Sequence, residues 1–286
     1  MKKSFIFLII GSITLTKVDL VLYSFDRPIQ LFALLESIST YFSGINNCSV
    51  IVRASNSKFK SCYEEVQENF KQFNFLFQGD NPHSDFKDLL LKSADLNGNG
   101  YIMFGVDDII VKDYVNLAQC ANKLEETQAY SLFLRLGCNI DYCYSLNCPT
   151  PLPAHQIVKD VIKWQFKDGA GDWDYPNNND MTLYRKKDAL KCFNSIPLRS
   201  TAYEGDWASL ANHNLYGICF RESKIVNIPL NIVNEEYRDN KSMNAYTTEE
   251  LLNIFKKNLK IDITPFHKVQ NKSAHQEYQL KFIRRK

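Results

Sequence analysis

The sequence lacks the short motifs that mark several common enzyme classes. It contains no Gly-x-Gly-x-x-Gly and no P-loop, which argues against a dinucleotide-dependent dehydrogenase and a P-loop ATPase. It contains no Gly-x-Ser-x-Gly, so a hydrolase with that nucleophile elbow is not supported. None of the eight cysteines forms a Cys-x-x-Cys pair, and their spacing matches no zinc site. The function must therefore be argued from other residues.

Strong charge and long apolar runs are also missing. The formal net charge of the 286 residues is +2 at pH 7, which is too small to indicate a nucleic acid as the main partner. Beyond the N-terminus, no segment is long and apolar enough to span a membrane. With 45% hydrophobic and 23% charged residues, the composition is that of a globular protein. The cysteines fit buried free thiols, with some disulfide bonding as the alternative.

The N-terminal residues 1–16 allow two interpretations. Lys2-Lys3 precedes the apolar run from Phe5 to Ile10, as in a secretory signal peptide or a weak membrane anchor, but no Ala-x-Ala cleavage site follows. The alternative is an ordinary first strand. The localisation therefore stays open: cytoplasmic or membrane-associated, with a secretory route if residues 1–16 are a signal peptide. Residues 17–286 show no repeat and no clear linker, which favours one domain.

Strands and helices alternate through the first part of the chain. The nearly continuous apolar run Val18–Tyr23 is typical of a strand buried on both faces. Pro28 then suits the first turn of a helix that ends at Ser43-Gly44. Further strands are predicted at 49–53, 74–77 and 101–106, with helices at 57–71 and from a cap at Ser84. This order predicts a mostly parallel sheet with helices on both faces.

The second half alternates less regularly. The pattern predicts helices at 114–124 (capped by Asp113), 186–193, 203–213 and 249–259, and strands at 130–136 and 223–230. Ligands of parallel α/β sheets bind beyond the carboxyl ends of the strands. We therefore expect the loops at Asp26-Arg27 and Asp107-Asp108 to share one rim of the sheet.

Asp107 and Asp108 are the strongest candidates for chemistry. Two adjacent carboxylates at the end of a buried strand repel each other, and a divalent cation relieves that repulsion. Oxygen ligands of this kind suit Mg²⁺ or Mn²⁺. Such a cation can bridge a diphosphate and stabilise its charge as it leaves. The alternative is an acidic pair that caps the following helix.

The order of these segments resembles that of GT-A-fold glycosyltransferases, most of all the family 2-like group. Ser24-Phe25-Asp26-Arg27-Pro28 followed by Leu34-Leu35-Glu36-Ser37-Ile38 resembles their opening segment. Gly105-Val106-Asp107-Asp108 resembles their Asp-x-Asp motif, with Val106 as a departure from it. The resemblance covers residues 18–115 best. It implies an α/β, GT-A-type (Rossmann-like) single domain that takes a nucleoside diphosphate sugar as donor, a carbohydrate or other hydroxyl acceptor, and Mn²⁺ or Mg²⁺.

The resemblance also implies roles for single residues. Asp108 is the expected metal ligand, and Asp107 would hold the ribose or a metal-bound water. His275, late in the chain, is a candidate further ligand of the metal or diphosphate. Ser24 and Asp26 are expected at the nucleotide, and Arg27 either there or paired with a local acid. Arg135, inside an apolar strand, is either a diphosphate contact or half of a buried ion pair.

Acids in the second half are candidates for the acceptor side. Glu204, and after it Asp206, would deprotonate the acceptor hydroxyl as general base, unless both only favour a helix N-terminus. The loop 171–176 pairs acids with aromatic rings, as an acceptor-binding loop or as a surface loop held by its own rings. Asp180 and Arg185 flank the next strand and are expected at the same cleft. The rival functions are a sugar-phosphate nucleotidyltransferase and a non-catalytic carbohydrate- or nucleotide-binding protein.

Overall fold

The computed structural model describes residues 16–95, 98, 100–233 and 241–285. The predicted leader at residues 1–16 falls almost wholly outside this part of the chain. The division into a leader and one domain at 17–286 therefore stays a prediction. None of the helices in the described ranges is both long and apolar enough to cross a membrane. All eight cysteines are free thiols, and five of them are buried.

The described residues form seven α-helices and seventeen strands. The helices are α1 (Pro28–Tyr41), α2 (Ser57–Asn69), α3 (Pro82–Ala94), α4 (Leu117–Thr127), α5 (Lys186–Phe193), α6 (Tyr203–Ser209) and α7 (Thr248–Lys256). The strands are β1 (Val18–Phe25), β2 (Phe42–Ser43), β3 (Ile45–Arg53), β4 (Asn74–Phe77), β5 (Tyr101–Val106), β6 (Ile109–Val111), β7 (Val115–Asn116), β8 (Ser131–Phe133), β9 (Tyr142–Cys143), β10 (Cys148–Pro149), β11 (His155–Val158), β12 (Val161–Gln165), β13 (Thr182–Arg185), β14 (Tyr216–Cys219), β15 (Ile225–Asn227), β16 (Leu259–Ile261) and β17 (Phe282–Arg284).

Nine strands form one sheet in the order β11-β12-β14-β8-β13-β5-β1-β3-β4. The strands β1, β3, β4 and β5 are parallel neighbours, and β8 and β14 point the same way. Only β12 and β13 are reversed relative to the others in this sheet. The predicted α/β class with a mostly parallel sheet is confirmed.

Helices cover both faces of the sheet. Side chains alternate along each strand, so both faces carry apolar residues against which helices pack. Leu20 and Leu22 of β1 belong to a core that includes residues of α1, α2, α4 and α7. Val21 and Tyr23 belong to the opposite core, which α3, α5 and α6 complete. Every residue from Val18 to Ser24 is buried, which explains the nearly continuous apolar run.

Two helix starts differ from the prediction. α3 begins at Pro82 rather than after Ser84, because the chain turns at Asn81 and Pro82 suits the first helical position. α4 begins at Leu117, where the Asn116 side chain accepts the Gln119 N–H, and not after Asp113. Asp113 instead forms an ion pair with Lys224.

Candidate active site

The start of β13 lies at the same rim of the sheet as the ends of β1 and β5. Met181 N donates to Phe104 O across this pair of antiparallel strands (2.8 Å), so Asp180 lies on the Asp107 side. The predicted placement of Asp180 at the cleft agrees with this register. The placement of Arg185 there is wrong, because Arg185 pairs with Tyr101 at the opposite end of β5.

Asp107 is held by the loop that follows β1. Its Oδ2 accepts hydrogen bonds from Ser24 Oγ (2.7 Å) and Phe25 N (3.3 Å), and its Oδ1 accepts one from Arg27 Nη1 (2.9 Å). All three of its polar partners are supplied by four consecutive residues. Ser24 and Arg27, predicted at the nucleotide, thus have side chains that position Asp107. Of the two alternatives for Arg27, the pairing acid is Asp107 and not Asp26.

Tyr63 of α2 also holds the loop that follows β1. Its hydroxyl lies 2.7 Å from Ser24 Oγ and accepts the Arg27 N–H at 2.9 Å. Asp26 turns the chain in the left-handed region, at a φ of 53°, and its carboxylate accepts the Ser55 N–H at 2.8 Å. Asp26 therefore ties the β1 loop to the end of β3, and its predicted contact with a nucleotide stays a prediction.

Asp108 lies next to Asp107 in a crowded group of acids. Asn227 Nδ2 donates both to Asp108 Oδ1 (3.1 Å) and to Asp180 Oδ1 (2.9 Å), so one amide joins the two carboxylates. The pKa of Asp108 is raised to about 6: burial is the largest cause, Arg27 and His275 oppose it, and the charges of Asp107 and Asp180 add to it. The charged form of Asp108 is thus less favourable than that of an exposed aspartate, and a cation at this position would offset the difference.

His275 reaches the same group from the C-terminal part of the chain. It pairs with Asn227 in an isolated parallel bridge, and Asn227 N donates to Ala274 O at 2.9 Å. Strand β15 carries Asn227 and pairs with β6, which directly follows Asp108. Within the part of the chain that the structure describes, two buried polar atoms here have no hydrogen-bond partner: His275 Nδ1 and Asn227 Oδ1. The predicted convergence of His275 and Asp108 agrees with this geometry.

Arg135 is the buried cation on the other side of Asp180. Its Nη1 lies 3.1 Å from Asp180 Oδ2 and 3.0 Å from Asp172 Oδ1, and only 2% of its side chain is exposed. Of the two alternatives for Arg135, the structure shows the buried ion pair. Because breaking such a pair leaves buried charge unpaired, Arg135 holds Asp180 firmly in place.

Glu204 joins the group from the first turn of α6. Its Oε1 accepts the Asn179 N–H at 3.0 Å, and its Oε2 lies 3.4 Å from Asn179 Nδ2. The pKa of Glu204 is raised to about 8, mainly by burial and then by the charge of Asp180. Asp206 does not join the group: it is exposed, because a residue two positions along a helix points to a different side. The predicted role of Asp206 as an alternative base stays a prediction.

The loop 171–176 is held by its own aromatic ring. Trp173 is completely buried and packs edge-on against Trp164 at 5.0 Å between ring centroids. Asp172 pairs with Arg135, and Asp174 with His213. These contacts fit a surface loop held by its own rings better than an acceptor-binding loop with an open aromatic surface.

Sequence reasoning missed the asparagines that organise the site. The three residues before Asp180 are almost wholly buried: Asn177, Asn178 and Asn179. Asn178 Oδ1 accepts the Asp180 N–H at 3.0 Å, and Asn179 contacts Glu204. A run of four polar residues directly before a strand is the signal that could have located them. Asn227 carried no such signal, because it lies inside an apolar strand.

Comparison with known proteins gives one informative sequence match. No protein-family model matches the chain. The bifunctional glycosyltransferase pgtA of Dictyostelium discoideum is 30% identical over 198 residues, which cover 63% of this chain and 25% of that protein. The chain thus spans a quarter of the length of this curated relative.

Solved structures give weaker likenesses. S. aureus TarS 1-349 in complex with UDP has a TM-score of 0.43 and 14% identity, covering 71% of this chain and 60% of that one. The mannosyltransferase from Pyrobaculum calidifontis in complex with GDP-Man and Mn²⁺ has a TM-score of 0.41 and 8% identity, covering 71% and 54%. Likenesses at this level assign no ligand and no activity. Sequence similarity to pgtA, together with the mostly parallel α/β sheet, confirms the predicted resemblance of this chain to glycosyltransferases.

Proposed function

We propose that the protein transfers a sugar from a nucleoside diphosphate sugar to a hydroxyl group of an acceptor, with Mn²⁺ or Mg²⁺ bound at Asp108. The observation that carries the proposal is the difference between the two adjacent acids. Both oxygens of Asp107 are occupied by the loop after β1, whereas Asp108 lies beside two buried polar atoms without partners among the described residues. Asp107 then supports the site, and Asp108 is the ligand. The match to pgtA supports the same class of reaction.

The residues around Asp108 fit a divalent cation. A carboxylate, the imidazole nitrogen of His275 and the amide oxygen of Asn227 are ligand types that Mn²⁺ accepts. Across the described ranges, no group of three or more His, Cys, Asp or Glu side chains is arranged to hold a metal ion. Magnesium-type sites often use one or two carboxylates and complete their shell with substrate phosphates. We therefore expect the metal to bind together with the donor diphosphate, whose leaving charge it would stabilise.

Glu204 is the proposed general base. A base works best when its pKa lies near the working pH, and the pKa of about 8 for Glu204 meets that condition. Its carboxylate is fixed by Asn179, so it keeps one orientation while it accepts the proton of the acceptor hydroxyl. Arg135 and Asp180 hold the segment that carries Asn179. We expect Glu204→Gln to lower the rate of transfer by about 10²–10⁴-fold without loss of donor binding.

Thermal melting with a panel of nucleoside diphosphates, with and without Mn²⁺, tests the metal and donor parts of the proposal. A ligand at 100 times its dissociation constant adds about 2.7 kcal/mol of stability, which gives a measurable shift. The shift should need the metal and should vanish in Asp108→Asn. Asp160→Asn is the matched control, because Asp160 is exposed in the turn between β11 and β12. A full metal-dependent shift in Asp108→Asn would disprove the ligand assignment.

The rival functions give different results with the same protein. A metal-dependent shift without transfer or hydrolysis of any donor would favour a non-catalytic binding protein. Release of pyrophosphate from a nucleoside triphosphate and a sugar phosphate would favour a nucleotidyltransferase. Release of nucleoside diphosphate from a nucleotide sugar is the result that we expect.

A further inference from the structure

A cavity of about 560 Å³ lies beside His275. Its size falls in the usual range for ligand pockets, about 300–1,000 Å³. Its walls include two tyrosines, two lysines, a histidine and a glutamate: Tyr142, Tyr144, Lys241, Lys272, His275 and Glu277. None of these residues except His275 has a part in the site described above.

Two segments, together with Lys241, form the walls. One is the hairpin of β9 and β10, and the other is the stretch 271–277. Tyr142 N donates to Lys272 O (3.1 Å), and Tyr144 N donates to Ser273 Oγ (3.1 Å), so one backbone bond and one bond to a side chain join the two segments. The cavity is therefore formed before any ligand binds.

The chemistry of the walls suits a sugar ring. Tyr142 is partly exposed, and a tyrosine ring offers an apolar face together with a polar edge. The apolar C–H face of a pyranose packs on such a ring, while its hydroxyl groups need donors and acceptors around them. Glu277 Oε1 already accepts the Tyr144 hydroxyl at 2.7 Å, and Lys241 Nζ lies 4.3 Å from the centre of the Tyr144 ring. Both signs of charge are present, which favours a polyhydroxyl ligand over a simple anion.

The position of the cavity separates it from the expected nucleotide. The nucleotide is expected at the ends of β1 and β3, whereas the hairpin follows β8, which lies beyond β13 in the sheet. His275 lines the cavity and pairs with Asn227, whose side-chain amide donates to Asp108. A sugar in the cavity would thus lie beside His275, apart from the nucleotide expected at the ends of β1 and β3.

We propose that this cavity binds a saccharide unit of the acceptor, packed on Tyr142 and hydrogen-bonded by Lys241 and Glu277. This inference rests on the proposed function, because it assigns the second substrate of the same reaction. It replaces the loop 171–176, whose tryptophan is buried, as the aromatic surface for the acceptor.

Saturation-transfer NMR on the full chain tests the inference directly. The probes are methyl glycosides of glucose, galactose, mannose, N-acetylglucosamine and fucose. At least one should give a signal with the unchanged protein, and Tyr142→Ala should weaken its binding about ten-fold. Tyr114→Ala is the matched control, since Tyr114 is 65% exposed and lies against Tyr41 and His267 instead. Lys241→Ala, at an exposed position, provides a second variant if Tyr142→Ala does not fold.

The results separate this inference from the proposed function. Equal binding in Tyr142→Ala and Tyr114→Ala, or no binding of any probe, would overturn the inference. Displacement of the glycoside by UDP or GDP with Mn²⁺ would also overturn it, because the cavity would then belong to the donor. Glycoside binding that depends on Tyr142, in a protein that neither binds nor hydrolyses any nucleotide sugar, would support the cavity and refute the glycosyltransferase.

Discussion

Glu204→Gln should make the protein more stable at alkaline pH and leave its stability nearly unchanged at acidic pH. Folding raises the pKa of Glu204 from 4.5 to about 8, mainly by burial and then by the charge of Asp180. Between these two values the native protein keeps a proton that the unfolded chain releases. Stability therefore falls as the pH rises through this window. Glutamine has no proton to lose, so the variant escapes this loss.

The size of the change in stability follows from the pKa shift of Glu204. One pKa unit corresponds to about 1.4 kcal/mol, so the shift sets an upper limit of about 5 kcal/mol at pH 8. Arg135 opposes the effect, and Glu204 lies at the partly open edge of the site, where water and relaxation reduce it. We expect about 2 kcal/mol in the free energy of unfolding, or about 4–8 °C in the melting temperature.

Melting curves of both proteins at pH 5 and pH 8, without metal or nucleotide, provide the assay. Glu126→Gln serves as the control, because Glu126 is exposed on α4. The difference between Glu204→Gln and the unchanged protein should grow from pH 5 to pH 8, and the control should show no such growth. A difference in melting temperature of the same size at pH 5 and pH 8 would refute the reasoning, since it would show that folding does not raise the pKa of Glu204.

Three further predictions concern residues that hold the site together. Arg135→Met leaves two buried carboxylates without their cation and should lower the free energy of unfolding in urea by about 3–5 kcal/mol. Arg185→Met should cost clearly less, because the carboxylate it pairs with is 48% exposed, and equal losses would contradict the prediction. Trp173→Ala empties a completely buried site and should cost about 3–5 kcal/mol in the same assay, while a loss below 1 kcal/mol would show that the loop can close over the gap. Asn227→Ala removes the amide that joins two acids and should weaken Mn²⁺-dependent nucleotide binding about 10–100-fold by calorimetry, whereas unchanged affinity would exclude a supporting role.

The first half of the fold could be predicted because its signals are local. The strands β4 and β5 begin and end where the pattern placed them, and the end of β5 put Asp107 and Asp108 at the rim. Hydrophobic period and turn residues determine such elements over a few positions. The rim itself followed from the parallel arrangement, which the alternation of strands and helices indicated.

The direction of β13 could not be predicted from the sequence. The alternation of side chains along a strand is the same whether the strand runs parallel or antiparallel to its neighbours. That direction decides which end of the strand lies at the rim, so Asp180 reaches the site and Arg185 does not. The partners of Arg135 were equally hidden, since Asp172 lies 37 positions away in a polar loop. Pairings between distant segments depend on how the chain packs, which residue types alone do not specify.

The order of strands in the sheet has a consequence for how the site is assembled in time. Strands β4, β3, β1 and β5 are contiguous in the sheet and in the first 106 residues, so they can pair early during synthesis. Asn227 and His275 come more than a hundred residues later, and contacts over such sequence separations form slowly. Asp107 and Asp108, which follow β5, thus lack Asn227 and His275 until synthesis has reached residue 275. A nascent chain released just before residue 275 would possess all nine strands of the sheet and the two acids, but would lack His275.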